Sequence, residues 1–185
     1  TLSAGSWNRQ VVKAGRFNEE WQRYTDSPAN AYIENGQLVI KAMHESSTHG
    51  LDQYTSARLN TAGKRSWKYG KIAARIKLPY GKGIWPAFWM LGANIDENGG
   101  DTPWPQCGEI DILEMIGSEE DTVHGTALYV DEDHLLAGSS GTETITPGLF
   151  SDDYHIYRVD WTPTNMTWSV DGVAYHTTPV NADMK

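Results

Sequence analysis

The sequence lacks several features that would place it in particular classes of protein. Its 185 residues include one cysteine, Cys107, which excludes an internal disulfide framework and any metal site built from several cysteines. No apolar run approaches the roughly 20 residues of a membrane-spanning helix, so no membrane partner is expected. Basic residues are scarce as well: the formal net charge of −9 argues against nucleic acid and anionic membranes as partners.

Sustained helical periodicity is also missing, and period-two alternation takes its place. The alternation is clearest over residues 69–78, and Asn35-Gly36 and Asp171-Gly172 are strong hairpin signals. Short strands between Gly/Pro turns predict an all-β sandwich or jelly roll, in a single domain spanning residues 1–185. Residues 131–148 are expected to form a long polar excursion. Strands are predicted over residues 37–42, 54–59, 69–78, 84–91, 108–115, 122–130 and 154–161, and over 166–176, where the chain folds back at Asp171-Gly172.

The most unusual stretch is the acidic one from Gly108 to Met115. In a regular strand Glu109 and Asp111 share one face, whereas Glu114, five residues after Glu109, points to the other face and into the core. An unpaired carboxylate there costs several kcal/mol. A β-bulge near Ile112-Leu113 removes this conflict, because one extra residue returns Glu114 to the face of the other two acids.

Two Glu and an Asp on one strand face supply the groups needed for glycoside hydrolysis. That reaction uses two carboxyl groups flanking the scissile bond, about 5–5.5 Å apart in retaining enzymes. Asp111, lying between the two Glu, can hydrogen-bond one of them and hold their pKa values apart. The alternative interpretation of the strand is a solvated sheet face that carries acidic residues.

Tryptophan and tyrosine are abundant, with eight Trp and nine Tyr against three Phe. Trp85 and Trp89 are four residues apart and share a face of the neighbouring strand, and Trp104 lies just before the acids. Indole rings beside carboxylates are typical of a sugar site, although β-rich cores also use aromatic residues freely. The other tryptophans are assigned to packing: Trp7, Trp21, Trp67, Trp161 and Trp168.

Two segments together resemble a known family. Residues 85–91 (WPAFWML) and 104–117 (WPQCGEIDILEMIG) are similar to glycoside hydrolase family 16, and to its laminarinase-type branch, which carries the extra residue between Asp and the second Glu. Shorter matches extend the resemblance over most of the chain. It implies a concanavalin-like jelly roll with a concave cleft, and retaining endo-hydrolysis of internal β-1,3 bonds in β-glucans by a secreted enzyme.

The resemblance also assigns roles to individual residues. Glu109 matches the nucleophile, Asp111 the helper and Glu114 the general acid/base. The residues that match sugar contacts are Asn30, Arg58, Trp85, Trp89, Trp104 and His124. Simpler roles stay open for three of them: His124 as a structural histidine, Arg58 as the partner of a surface carboxylate, and Asn30 as a turn cap.

The resemblance leaves cofactors, completeness and specificity open. No cofactor is expected, and no metal ligand is assigned. A structural calcium ion occurs in the family, but residues 96–101 lack the alternating spacing of a calcium loop. Family strands have no match at either end, so the domain is expected to be incomplete: either the chain is a fragment, or a second chain or copy completes the sheet. Two other functions compete: a non-catalytic β-glucan-binding domain and a mixed-linkage β-1,3-1,4-glucanase.

Overall fold

The computed structural model describes residues 2–45, 53–181 and 184, and almost all of its regular structure is strand. The chain separates into two compact units, Thr1–Ser66 and Trp67–Lys185, while a single domain over residues 1–185 stays a prediction. Within the described ranges, no helix has the length and apolar character needed to cross a membrane. A short 3-10 helix covers Asp96–Asn98. The strands are β1 (Asn8–Arg9), β2 (Gln22–Tyr24), β3 (Ala31–Glu34), β4 (Gln37–Ile40), β5 (Met43–His44), β6 (Tyr54–Ser56), β7 (Leu59–Asn60), β8 (Gly70–Ile76), β9 (Ala87–Leu91), β10 (Glu109–Glu114), β11 (Thr122–Val130), β12 (Leu136–Thr144), β13 (His155–Trp161), β14 (Asn165–Val170) and β15 (Val173–Pro179).

The N-terminal unit contains small sheets. Strands β3 and β4 form the predicted hairpin, with Asn35 and Gly36 both at positive φ in the turn. Strand β6 pairs with β2 and β5, and β1 pairs with β7. The single strand predicted over residues 54–59 is therefore wrong: β6 and β7 are separate strands that pair with different partners.

The C-terminal unit contains two four-stranded antiparallel sheets. The acid sheet has the order β12-β11-β10-β9, and the second sheet, which we call the facing sheet, has the order β15-β14-β13-β8. The inward side chains of both sheets form one apolar core, as the alternation in β8 predicts. The all-β sandwich prediction is confirmed. The fully buried side chains of this core include Ile112, Leu113, Met115, Val123, Phe150, Tyr157, Val159, Met166 and Trp168.

Strand β12 overturns the prediction of a polar excursion over residues 131–148. It pairs with β11 along nine residues, from Thr122 opposite Thr144 to Val130 opposite Leu136. Its sequence is rich in Gly, Ser and Thr and has little apolar alternation, so hydrophobic periodicity gives no strand signal there.

The packing role predicted for three tryptophans is also wrong, because their side chains are exposed: Trp7, Trp21 and Trp67.

Candidate active site

Strand β10 contains the predicted bulge. Asp111 pairs with Thr126 of β11, and Glu114 pairs with His124, so two residues of β10 lie opposite one residue of β11, Gly125. The register with β9 shifts at the same place. This two-against-one arrangement is the defining feature of a β-bulge. The prediction of a bulge between the second and third acid is therefore confirmed.

The bulge places the apolar residues of β10 in the core and its three acidic residues on the opposite face. Ile112 and Leu113 are both 1% exposed, so both residues of the bulge reach the core. Because directly paired residues point to the same side of a sheet, the register then brings Glu109, Asp111 and Glu114 to one face. We call this side of the acid sheet the acid face.

Two indole N–H groups hold the two glutamates. Nε1 of Trp104 donates to Oε2 of Glu109 at 2.6 Å, and Nε1 of Trp85 donates to Oε1 of Glu114 at 2.9 Å. Both tryptophan side chains are about half exposed, so each ring keeps a free surface while its nitrogen binds a carboxyl oxygen. The sequence predicted that these tryptophans lie near the acids, but it gave no sign of the hydrogen bonds.

The strands on either side of β10 add further residues to the acid face. Trp89 of β9 and Thr126 of β11 both lie directly opposite Asp111. The Thr126 hydroxyl is 3.1 Å from the hydroxyl of Ser140 on β12. Sequence reasoning missed both hydroxyls. Alternation from His124 would have found Thr126, whereas Ser140 carried no signal because β12 itself was not predicted.

Burial and neighbouring charge set the protonation of Asp111. The residue is 4% exposed. Burial, followed by the charges of Glu109 and Glu114 and a hydrogen bond to Glu109, raises the pKa of Asp111 well above its usual range. The Asp111 carboxyl is therefore protonated at neutral pH and donates a hydrogen bond to Glu109. This hydrogen bond orients the Glu109 carboxyl group.

Glu114 has the opposite requirement and a different environment. Burial raises the pKa of Glu114, while the Trp85 N–H and the charge of His124 act against that rise. A raised pKa keeps a carboxyl group protonated closer to neutral pH, which suits a general acid. The surroundings of Glu114 thus favour its protonated form.

His124 lies beside the general-acid candidate. It pairs directly with Glu114, and its Nε2 atom is 3.9 Å from Oε2 of Glu119. That nitrogen is buried and has no hydrogen-bond partner among the residues that the structure describes. The structure brings His124 onto the acid face, and its contact with a sugar stays a prediction.

Asn30 and Arg58 belong to the N-terminal unit. Asn30 is 1% exposed, and its side-chain amide donates to the Lys41 carbonyl at 2.9 Å and to Oγ1 of Thr55 at 3.1 Å. The Arg58 guanidinium lies over the Phe17 ring, 4.2 Å from the ring centroid. These contacts give both residues a structural role, and their sugar contacts stay predictions.

The acidic and imidazole side chains that the structure describes are not clustered as metal ligands. Across residues 2–45, 53–181 and 184, no three His, Cys, Asp or Glu side chains are grouped so that they hold a metal ion. The three acids of β10 lie along one strand, and two of them are bonded to indole nitrogens.

Comparison with known proteins gives consistent results. The profile described as glycosyl hydrolases family 16 matches residues 19–185. The chain is 41% identical over 174 residues to a beta-glucanase of Rhodothermus marinus, covering 94% of the chain and 59% of that protein. It is 42% identical over 179 residues to a glucan endo-1,3-beta-glucosidase of Cryptopygus antarcticus, covering 94% of the chain and 64% of that protein.

A solved structure supports the same relationship. The laminarinase catalytic domain of Thermotoga maritima superposes with a TM-score of 0.84 at 41% identity, covering 97% of this chain and 72% of that one. The jelly-roll prediction is thereby confirmed. The chain spans less than two thirds of the length of the Rhodothermus and Cryptopygus relatives.

Proposed function

The chain belongs to glycosyl hydrolase family 16, and on that basis we propose that it hydrolyses internal β-1,3-glucosidic bonds in β-glucans such as laminarin. Relatives named as a beta-glucanase and as a glucan endo-1,3-beta-glucosidase support this choice of substrate. The observation that carries the proposal is the acid face. There, Glu109 and Glu114 lie on one side of β10, and each accepts a hydrogen bond from an indole N–H.

The proposed reaction proceeds in two displacements with retention of configuration. The Glu109 carboxylate attacks the anomeric carbon, and Glu114 gives its proton to the departing glycosidic oxygen. Glu114, now ionised, then takes a proton from water. That water attacks the anomeric carbon and releases Glu109 as a carboxylate. Before the first step, protonated Asp111 holds Glu109 by its hydrogen bond.

The half-exposed rings of Trp85 and Trp104 and the side chain of Trp89 supply the proposed platform for glucose units. One face of a pyranose is apolar and stacks on an indole ring, while its hydroxyl groups meet the polar groups beside it. Thr126 lies among the acids and offers a hydroxyl for such a contact. Three indole rings and a hydroxyl, all uncharged, thus form this part of the proposed contact surface.

A single substitution tests the assignment of the nucleophile. Glu109→Gln keeps the shape of the side chain but removes the nucleophilic carboxylate, so release of reducing ends from laminarin should fall by at least about 10⁴-fold. Binding of laminari-oligosaccharides, measured by calorimetry, should persist. Glu132→Gln changes an exposed loop residue and serves as the matched control, with the activity of the wild type. Equal activity in Glu109→Gln and wild type would refute the proposal.

Product analysis separates the proposal from its two alternatives. Wild-type protein is incubated with laminarin and, separately, with a mixed-linkage β-1,3-1,4-glucan, and the first products are followed by NMR. Faster cleavage of laminarin with β-anomeric products supports the proposal. Preference for the mixed-linkage polymer indicates a β-1,3-1,4-glucanase. First products in the α-anomeric form would overturn the retaining mechanism. Binding without any release of reducing ends indicates a non-catalytic β-glucan-binding protein.

We also propose that the protein acts outside the cell. A β-glucan polysaccharide does not cross a membrane. An enzyme that cleaves its internal bonds therefore has to act outside the cell. The test is to express the full natural gene in its host and assay washed cells and culture medium for the protein. Recovery of the protein only from the cell interior would refute this proposal.

A further inference from the structure

We propose that Trp168 is a positioning residue for the general acid/base, because its indole N–H holds the main chain at the bulge that carries Glu114. The inference rests on the function proposed above. Trp168 lies on β14 of the facing sheet and is fully buried, so it contacts no substrate. Its effect on the reaction would pass entirely through the backbone of β10.

The hydrogen bond joins two groups that each need a partner. Nε1 of Trp168 donates to the main-chain carbonyl of Asp111 at 2.8 Å. Asp111 is the residue after which the register of β10 shifts against both of its neighbouring strands. A bulge disrupts the ladder locally, and a buried indole N–H requires an acceptor. The bond therefore fixes β10 where its own ladder holds it least firmly.

Strand β11 leaves room for the indole. The one residue that β11 places opposite the bulge is Gly125. An added Cβ at this position would overlap Cδ1 of Trp168 and the hydroxyl of Tyr175. The absence of a side chain at Gly125 therefore lets the indole reach the Asp111 carbonyl. Gly125 is thus both the residue of β11 that lies opposite the bulge and the residue whose missing side chain makes space for the Trp168 indole.

Further contacts orient the ring. The His176 ring of β15 lies against Trp168 with a centroid distance of 5.1 Å and an interplanar angle of 35°. Nε2 of His176 is in turn 3.1 Å from the Ser139 hydroxyl on β12. The indole is thus held between β15 and β10 and has little freedom to rotate away from its acceptor.

Loss of this bond would act on the direction of Glu114. A strand that slips by one residue turns its side chains to the other face, and here that movement would carry Glu114 toward the core. Even a displacement of about 1 Å between reacting groups is enough to cost roughly 10²-fold in rate. A purely structural tryptophan would behave differently, since its loss would lower stability and leave the turnover of folded molecules unchanged.

The experiment compares three variants with the wild type. Trp168→Phe removes the N–H and keeps an aromatic ring, and Gly125→Ala displaces the intact indole. Trp161→Phe is the matched control, because Nε1 of Trp161 is buried in the same sheet without a hydrogen-bond partner among the described residues. All rates are expressed per folded molecule, with the folded fraction taken from near-UV circular dichroism.

Two substrates distinguish positioning from general damage. Laminarin has a sugar leaving group that needs the proton of Glu114, whereas a dinitrophenyl laminari-oligosaccharide has a leaving group that departs without one. In Trp168→Phe and Gly125→Ala, kcat on laminarin should fall by about 10–100-fold with KM within threefold. Glycosylation by the dinitrophenyl substrate, followed as the pre-steady-state burst, should stay within threefold of wild type. Trp161→Phe should match wild type on both substrates.

Equal losses on the two substrates, no loss, or the same loss in Trp161→Phe would overturn the inference. If Trp168→Phe does not fold, the inference is tested by the kinetics of Gly125→Ala and by hydrogen exchange of the Trp168 indole N–H. In ¹H–¹⁵N NMR the Trp168 N–H should exchange slowly in wild type and at least tenfold faster in Gly125→Ala. An inactive wild type would refute the proposed function alone. The inference would then be judged by indole exchange and by a crystal structure of Trp168→Phe, in which an unchanged bulge and Glu114 would count against it.

Discussion

Replacement of Asp111 by Asn should change how the stability of the protein depends on pH. An exposed aspartate has a pKa of about 3.9, whereas the pKa of Asp111 in the folded protein is raised to about 9. Between these two values the folded chain keeps one proton that the unfolded chain has released. Stability from this group is therefore full at low pH and falls as the pH rises. The slope is about 1.4 kcal/mol for each pH unit, or about 3 kcal/mol between pH 5 and pH 7.

The asparagine side chain of Asp111→Asn has no proton to lose, so the variant lacks this slope. Asn resembles the protonated acid in shape, and its unpaired second N–H changes the offset between the two proteins but not the slope. We expect the free energy of unfolding of Asp111→Asn minus that of wild type to rise by about 3 kcal/mol from pH 5 to pH 7.

Urea unfolding at pH 5, 6 and 7, followed by tryptophan fluorescence, measures this difference. Asp133→Asn makes the same chemical change at an exposed loop residue and serves as the matched control. A flat difference for Asp111→Asn would show that Asp111 is ionised in the folded protein. The protonated donor to Glu109 would then be absent, and the reasoning about the nucleophile would be refuted.

Three further predictions concern single contacts. Trp85→Phe removes a donor that lowers the pKa of Glu114, so the alkaline limb of kcat/KM should move to higher pH, and a shift to lower pH would contradict this. Gly141→Ala places a Cβ 2.5 Å from Cβ of His176, which should cost about 1–3 kcal/mol in urea unfolding, and unchanged stability would contradict it. Burial raises the pKa of Asp171, but hydrogen bonds from a β13 main-chain N–H and a β13 imidazole outweigh it and lower the pKa. Asp171→Asn should therefore lose more stability at pH 6 than at pH 2, by up to about 1 kcal/mol, and an equal loss at both would contradict this.

The bulge was predictable because the sequence itself contains the conflict. Glu114 is out of step with Glu109 by one residue, and burial of a carboxylate costs more than the insertion of a bulge. The structure resolves the conflict in the expected way, with Ile112 and Leu113 both in the core. Local side-chain chemistry was therefore enough to predict the central strand of the site.

The contacts that complete the site were not predictable, because they join residues far apart in the chain. The bond between Trp168 and the Asp111 carbonyl spans 57 residues and connects the two sheets. The packing role predicted for Trp168 is correct, but that prediction says nothing of where the indole nitrogen points. The prediction for strand β12 failed for a different reason. Its Gly, Ser and Thr residues have little strand signal of their own, and the strand is formed by pairing with β11.

The acid face also explains why neutral groups hold the two glutamates. Three ionised carboxylates on one strand face would repel one another strongly, and protonation of Asp111 removes one of those charges. A lysine in the place of Trp85 would attract the ionised form of Glu114 and strip it of the proton that it has to donate. The neutral indole N–H fixes the direction of the carboxyl group with a smaller effect on its pKa. Neutral donors therefore hold Glu109 and Glu114 in place without adding a positive charge beside the general acid.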